Sequence, residues 1–221
     1  MDLIVFKAIN GFAARHDGFE DFVRFVALDA EYFFIALLVV LFFARGRWAS
    51  RNARHGVVAA GFSMALALGI AQVITHIWAR PRPFVAHPDV THLFVAHRVE
   101  PGFPSDHATA AFAIAVSIFL RHKKIGVLAI AMATVMSIGR VAIGVHYPGD
   151  VLAGAALGSL CALFFFMPVV RRPLHRLADW AAGLYDSVWR RVSPGPHPSF
   201  WRTFGPPVRP RQDRRAGPLL P

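Results

Sequence analysis

Between Gly56 and Trp78 the chain carries no Asp, Glu, Lys or Arg. A helix over that run is long enough to cross a bilayer, which takes about 20 predominantly apolar residues. Further apolar runs occupy residues 30–44, 105–120, 125–145 and 150–170. Inside hydrocarbon every backbone N–H and C=O must find a partner within the protein, and helices meet that demand segment by segment. The expected fold is therefore all-α, a polytopic membrane helical bundle of about five transmembrane helices plus an interfacial N-terminal helix. With 55% hydrophobic and 17% charged residues, the composition excludes an ordinary soluble domain.

Charge sets the topology. Basic clusters at 45–54, at Arg121, Lys123 and Lys124, and from Arg171 onward all fall on one side of five alternating spans. The positive-inside rule makes that side cytoplasmic. The N-terminus, the 79–105 loop and the 141–149 turn then lie on the outer side of the membrane. Four units are expected along the chain. Residues 1–28 read as an interfacial helix, from Phe19, Phe22, Val23 and Val26 at helical spacing, and not as a cleaved signal. Residues 29–172 form the membrane domain. Residues 173–192 read as a cytoplasmic amphipathic helix, with Leu177, Trp180, Ala181, Leu184 and Val188 on one face. Residues 193–221 are rich in Pro and Arg and read as a disordered tail. From Arg171 on there are ten arginines against three aspartates. Without a recognised nucleic-acid motif, that charge fits membrane lipid headgroups and no nucleic acid. Gly154 and Gly158, and likewise Ala65 and Gly69, offer small-residue faces for close helix packing.

Polar residues gather where four segments meet the outer side. Arg80 and Arg82 follow the second span, and Ser105, Asp106 and His107 open the third. Arg140 interrupts the fourth, and His146, Tyr147, Pro148, Gly149 and Asp150 lead into the fifth. An arginine within an apolar run is costly unless something pairs with it. Arg binds phosphate through planar paired donors. Ser105 is a good N-cap, and a helix N-terminus favours an anion. Pro148 suits a first helical turn, which sets His146 just outside the helix and Asp150 one turn on. A carboxylate four residues from an imidazole can hold one ring nitrogen and leave the other to attack. These groups together describe a phosphate-ester site. His76, His87, His92 and His97 match no metal or haem spacing, and Cys161 sits alone in an apolar run, so neither metal nor cofactor is expected.

Arg82-Pro83, the Pro104–His107 tetrapeptide, and Arg140, His146 and Asp150 at their mutual spacing resemble the three signature motifs of the type-2 phosphatidic acid phosphatase superfamily. Within it the chain looks most like the bacterial undecaprenyl-diphosphatase branch. The resemblance covers roughly residues 75–150. It implies a membrane hydrolase for undecaprenyl diphosphate or a similar lipid phosphate, working through a phosphohistidine. His146 would be the nucleophile, Asp150 its orienting group and His107 the proton donor to the leaving group. Arg82, Arg140 and Ser105 would hold the phosphate. The superfamily's first-motif lysine is Thr75 here, and Gly139 stands where Ser usually precedes the third-motif arginine. Arg80 is the expected substitute for the lysine. A phosphatase for phosphatidylglycerophosphate or phosphatidic acid is the alternative within enzymes. Outside them stand a haem-binding, transport or scaffold protein of the membrane.

Overall fold

The structure is a computed structural model that describes residues 1–44 and 50–192. The expected disordered tail at 193–221 lies outside the described residues. Eight α-helices follow in order among the described residues: α1 (Asp2–Ala13), α2 (Asp17–Phe43), α3 (Arg51–Ile77), α4 (Pro83–Ala86), α5 (Asp106–Phe119), α6 (Lys123–Ala142), α7 (Pro148–Phe166) and α8 (Pro168–Val192). The chain is an all-α membrane bundle.

α2, α3, α6 and α7 contain the four spans long and apolar enough to cross a bilayer. The expected third span, α5, is not among these four; it has 14 residues, or about 21 Å at 1.5 Å per residue. It runs from Asp106 and His107 at the cavity end of the bundle to the turn before Arg121 at the other. α5 is the central helix, packed against α3, α6 and α7, with Ala108, Ala111, Ala113, Ile114 and Ile118 buried. Side chains such as Phe25, Ile35 and Val40 of α2 and Leu128 of α6 stay exposed on the rim, as a lipid-facing surface requires.

Small residues let α5 and α7 meet. A Cβ on Gly158 would lie 2.2 Å from the Thr109 carbonyl oxygen, and one on Gly154 2.6 Å from that of Ser105. The other small-residue face does not pack in this way. A Cβ on Gly69 would meet nothing within 4 Å from another helix among the described residues. Ser117 of α5 also donates to Ser63 of α3 at 3.2 Å.

Two expected boundaries move. Residues 1–28 are not one interfacial helix, since α1 ends at Ala13 and α2 runs unbroken from Asp17 to Phe43. Neither Gly nor Pro occurs between Phe19 and Phe43 to end it. Likewise α8 begins at Pro168, ahead of the expected start at 173, and carries Pro173 inside it. α8 buries Leu174, Ala178 and Ala182 while Leu177, Trp180, Leu184 and Val188 stay exposed. Asp179 accepts from Arg51 and lies 2.8 Å from His55 Nε2, which ties α8 to the first turns of α3. Those contacts define the basic end of the bundle. The polar loops gather at the other end.

Candidate active site

At that other end α6 stops at Ala142 and the chain turns through Gly144, whose φ of +89° favours glycine. His146 follows, and Tyr147 caps α7 with Pro148 in its first turn. Asp150 reaches back, and its Oδ2 accepts from the Tyr147 N–H at 2.8 Å, the reciprocal half of a capping box.

His146 is 2% exposed. Its Nδ1 lies 3.0 Å from the Gly102 carbonyl oxygen. A carbonyl only accepts, so Nδ1 carries the proton and Nε2 the lone pair. The Asp150 carboxylate stands farther off, 3.6 Å from Nδ1. The expected orienting group is thus second in line to a backbone carbonyl from the 79–105 loop. Burial first, then the Arg140 and Arg82 charges, hold the imidazole well below its ordinary pKa, so Nε2 stays unprotonated.

Arg82 Nη1 lies 3.0 Å from Nε2 and donates to it. The same guanidinium donates to the carbonyls of Glu100 at 3.1 Å and Val145 at 3.2 Å. Arg140 is 2% exposed and has no carboxylate within ion-pair distance among the described residues. Its Nη2 lies 3.3 Å from His97 Nε2, and its buried Nε has no partner. A buried guanidinium with free donors can pair with an anion.

Arg82, Arg140, His107 and His146 line one cavity of about 450 Å³. Thr75 lines it as well, its hydroxyl donating to the Phe103 carbonyl at 2.9 Å. The structure does not bring the other two expected phosphate ligands into it. Ser105 is fully buried as the cap of α5, accepting from the Ala108 N–H at 3.5 Å. Arg80 turns the other way, donating to Asp150 at 2.8 Å and to Asp2 at 2.6 Å. Arg80 thus lies outside this cavity, with two carboxylates holding its fork. Among the described residues no three His, Cys, Asp or Glu side chains gather as a metal set.

Several contributors escaped the sequence. His97 joins the cavity beside Arg140, although its spacing to other histidines signalled nothing. Gly102 supplies the carbonyl that fixes the His146 tautomer. Its place in the 79–105 loop gave no sign of what it would touch. Glu100 and Asp106 bring two carboxylates to the cavity wall. α1 also reaches the site through Asp2, for which no local pattern gave a sign.

The PAP2 superfamily model matches residues 56–173, more than half of the chain. The undecaprenyl-diphosphatase BcrC of Bacillus subtilis is 29% identical over 197 residues, 89% of this chain and 97% of that protein. The bacitracin transport permease protein BcrC of Bacillus licheniformis is 32% identical, over 90% of this chain and 94% of that one. Among solved structures, the crystal structure of Aquifex aeolicus LpxE superimposes with a TM-score of 0.59 at 26% identity, covering 75% of this chain and 94% of that chain. The chain belongs to the PAP2 superfamily.

Proposed function

We propose that this PAP2-superfamily lipid phosphatase of the membrane removes the terminal phosphate of undecaprenyl diphosphate, or a closely similar polyprenyl diphosphate, at the outer face of the bacterial inner membrane. The observation that carries the reading is the His146 ring. Its Nδ1 proton is committed to Gly102 and its Nε2 lone pair faces a cavity holding two arginines.

Nε2 attacks the terminal phosphorus, forming an N–P bond as the bridging P–O bond breaks. The departing lipid phosphate takes a proton from His107. Water, giving its proton to His107, then cleaves the N–P bond and releases inorganic phosphate. Arg140 meets the phosphoryl oxygens with its unpaired donors. Arg82 exchanges its bond to Nε2 for one to the substrate, so the phosphate uncovers the nucleophile as it binds. Both oppose charge that spreads over the oxygens in the transition state. Asp150 balances the imidazole as it gains charge.

The similarity to a protein named undecaprenyl-diphosphatase, over nearly the whole of both chains, supports the lipid. The orientation rests on Arg51, Arg54, Arg121 and Arg171 at the end of the bundle away from the cavity, which the positive-inside rule makes cytoplasmic. The test is phosphate release by the purified protein from undecaprenyl diphosphate in competition with phosphatidylglycerophosphate and phosphatidic acid. Preference for the prenyl lipid, abolished in His146→Ala at unchanged melting temperature, is expected. Preference for a glycerol lipid would replace the substrate, and normal turnover by His146→Ala would remove the nucleophile.

A further inference from the structure

We propose that Asp2 is a positioning residue for the nucleophile, acting through Arg80 on Asp150; this rests on the assignment of His146 as the attacking group. The proposal begins with α1, a helix with no part in the phosphate cavity. α1 is fastened over the site end of the bundle. Asn10 is fully buried, its amide donating to the carbonyls of His92 at 2.7 Å and Ala142 at 2.8 Å and accepting from the His92 N–H at 2.9 Å. Phe6 meets the Tyr147 ring edge-on at 5.6 Å. With both points fixed, the first turn of α1 lies against the first turn of α7.

There Asp2 does two things. Its Oδ1 accepts from the Gly149 N–H at 2.8 Å, satisfying one of the donors that a helix N-terminus leaves unpaired. Its Oδ2 accepts from Arg80 Nη2 at 2.6 Å. The carboxylate sits close against the α7 backbone, where a Cβ on residue 149 would lie 2.9 Å from Oδ2. The Arg80 guanidinium lies over the Tyr147 ring, 4.2 Å from its centroid, and gives its other arm to Asp150 Oδ1 at 2.8 Å.

Asp150 is fully buried. A buried carboxylate requires a countercharge, and Arg80 is the cation within ion-pair distance. Arg80 itself is partly exposed and would be free to turn outward were one arm released. Asp2 prevents that turn. Without it, Asp150 keeps the Tyr147 N–H on Oδ2 but loses its fixed countercharge on Oδ1, and can shift toward Nδ1 of His146, competing with the Gly102 carbonyl and tilting Nε2 away from the phosphorus. The path from Asp2 to the imidazole runs through one guanidinium and one carboxylate, each link a measured contact.

The isosteric Asp2→Asn keeps shape and removes the charge. In the full-length protein with undecaprenyl diphosphate, kcat should fall between about ten- and a hundredfold, the scale of a displaced reacting atom, with KM within about threefold. Arg80→Gln should do the same, and the double variant should be no worse than Arg80→Gln alone, because both act on one path. A kcat within about twofold of wild type, a loss lying wholly in KM, or losses that multiply would overturn the proposal. Orthovanadate stabilisation in a thermal melt separates the two readings. If wild-type protein hydrolyses no lipid phosphate, the functional reading fails. Asp2 is then judged by vanadate alone: weaker stabilisation of Asp2→Asn than of wild type upholds it, and equal stabilisation overturns it.

Discussion

Gly102→Ala tests whether the loop carbonyl that fixes the His146 tautomer also fixes the rate. A Cβ at residue 102 would lie 2.8 Å from Arg82 Cγ, about 0.6 Å inside the 3.4 Å at which ordinary contact begins. The Arg82 stem cannot swing aside cheaply, because its guanidinium is tied to the carbonyls of Glu100 and Val145 and to His146 itself. The loop cannot retreat freely either, since the Gly102 N–H donates to the Arg80 carbonyl at 2.9 Å. The displacement therefore falls on the Gly102 carbonyl, on Arg82, or on both, and each touches the imidazole. A misplacement of 1 Å in a reacting group costs about a hundredfold in rate, so 0.6 Å corresponds to about ten- to fiftyfold, or about 1.4–2.3 kcal/mol of barrier. The assay is steady-state phosphate release by purified Gly102→Ala beside Gly61→Ala, where a Cβ meets nothing within 4 Å. Turnover of Gly102→Ala within about threefold of wild type would refute the claim that this carbonyl sets the geometry of attack.

Arg140→Met should abolish turnover and raise stability by about 1 kcal/mol or more, read as a higher melting temperature, because it deletes a buried charge that lacks an ion-pair partner among the described residues; a destabilised variant would show that Arg140 is a structural ion. Gly158→Ala should be strongly destabilising, since its Cβ would meet the Thr109 carbonyl oxygen at 2.2 Å and force α5 from α7; a thermal melt within a few degrees of wild type would contradict that packing. The acid limb of kcat/KM should lie below pH 6.5, because the neutral His146 ring persists as pH falls through its ordinary pKa. Stability carries the matching sign. Below about pH 6.5 the unfolded chain binds a proton that folded His146 refuses, so stability is present above that pH and lost below it. The slope is about 1.4 kcal/mol per pH unit. His146→Gln should remove that slope from the melting curve, and an unchanged slope would assign it to another group.

The part of the molecule legible in the sequence is the part held by local rules. Span positions follow from apolar length bounded by charge, and the α7 cap follows from Pro148 and Asp150. The errors at 28–30 and at 173 share one cause. Charge marks where a chain leaves hydrocarbon, whereas a helix ends where its backbone loses partners. Asp29 and Glu31 mark the first without causing the second, so α2 continues through them. Pro173 removes one N–H near the start of α8, and the remaining turns, tied to α3 through Asp179, carry the helix past it.

The site divided along the same line. His107, Arg140, His146 and Asp150 lie at fixed offsets from helix ends, and those offsets carried them to one cavity or its rim. Arg80 lies apart from this cavity because its contacts depend on what faces it. Two residues from Arg82 and of the same type, it looked like a second phosphate ligand, and only the contact with Asp2, 78 positions away, commits it elsewhere. The same reasoning bears on Thr75. Its hydroxyl is tied to the Phe103 carbonyl, so the lost lysine charge is not restored there. The cavity keeps Arg82 and Arg140 and adds His97, whose Nε2 faces Arg140 at 3.3 Å. Burial first holds His97 below its ordinary pKa, which keeps the ring a neutral acceptor toward Arg140. Arg140 is thus faced by a residue from the 79–105 loop, where helical periodicity has nothing to say.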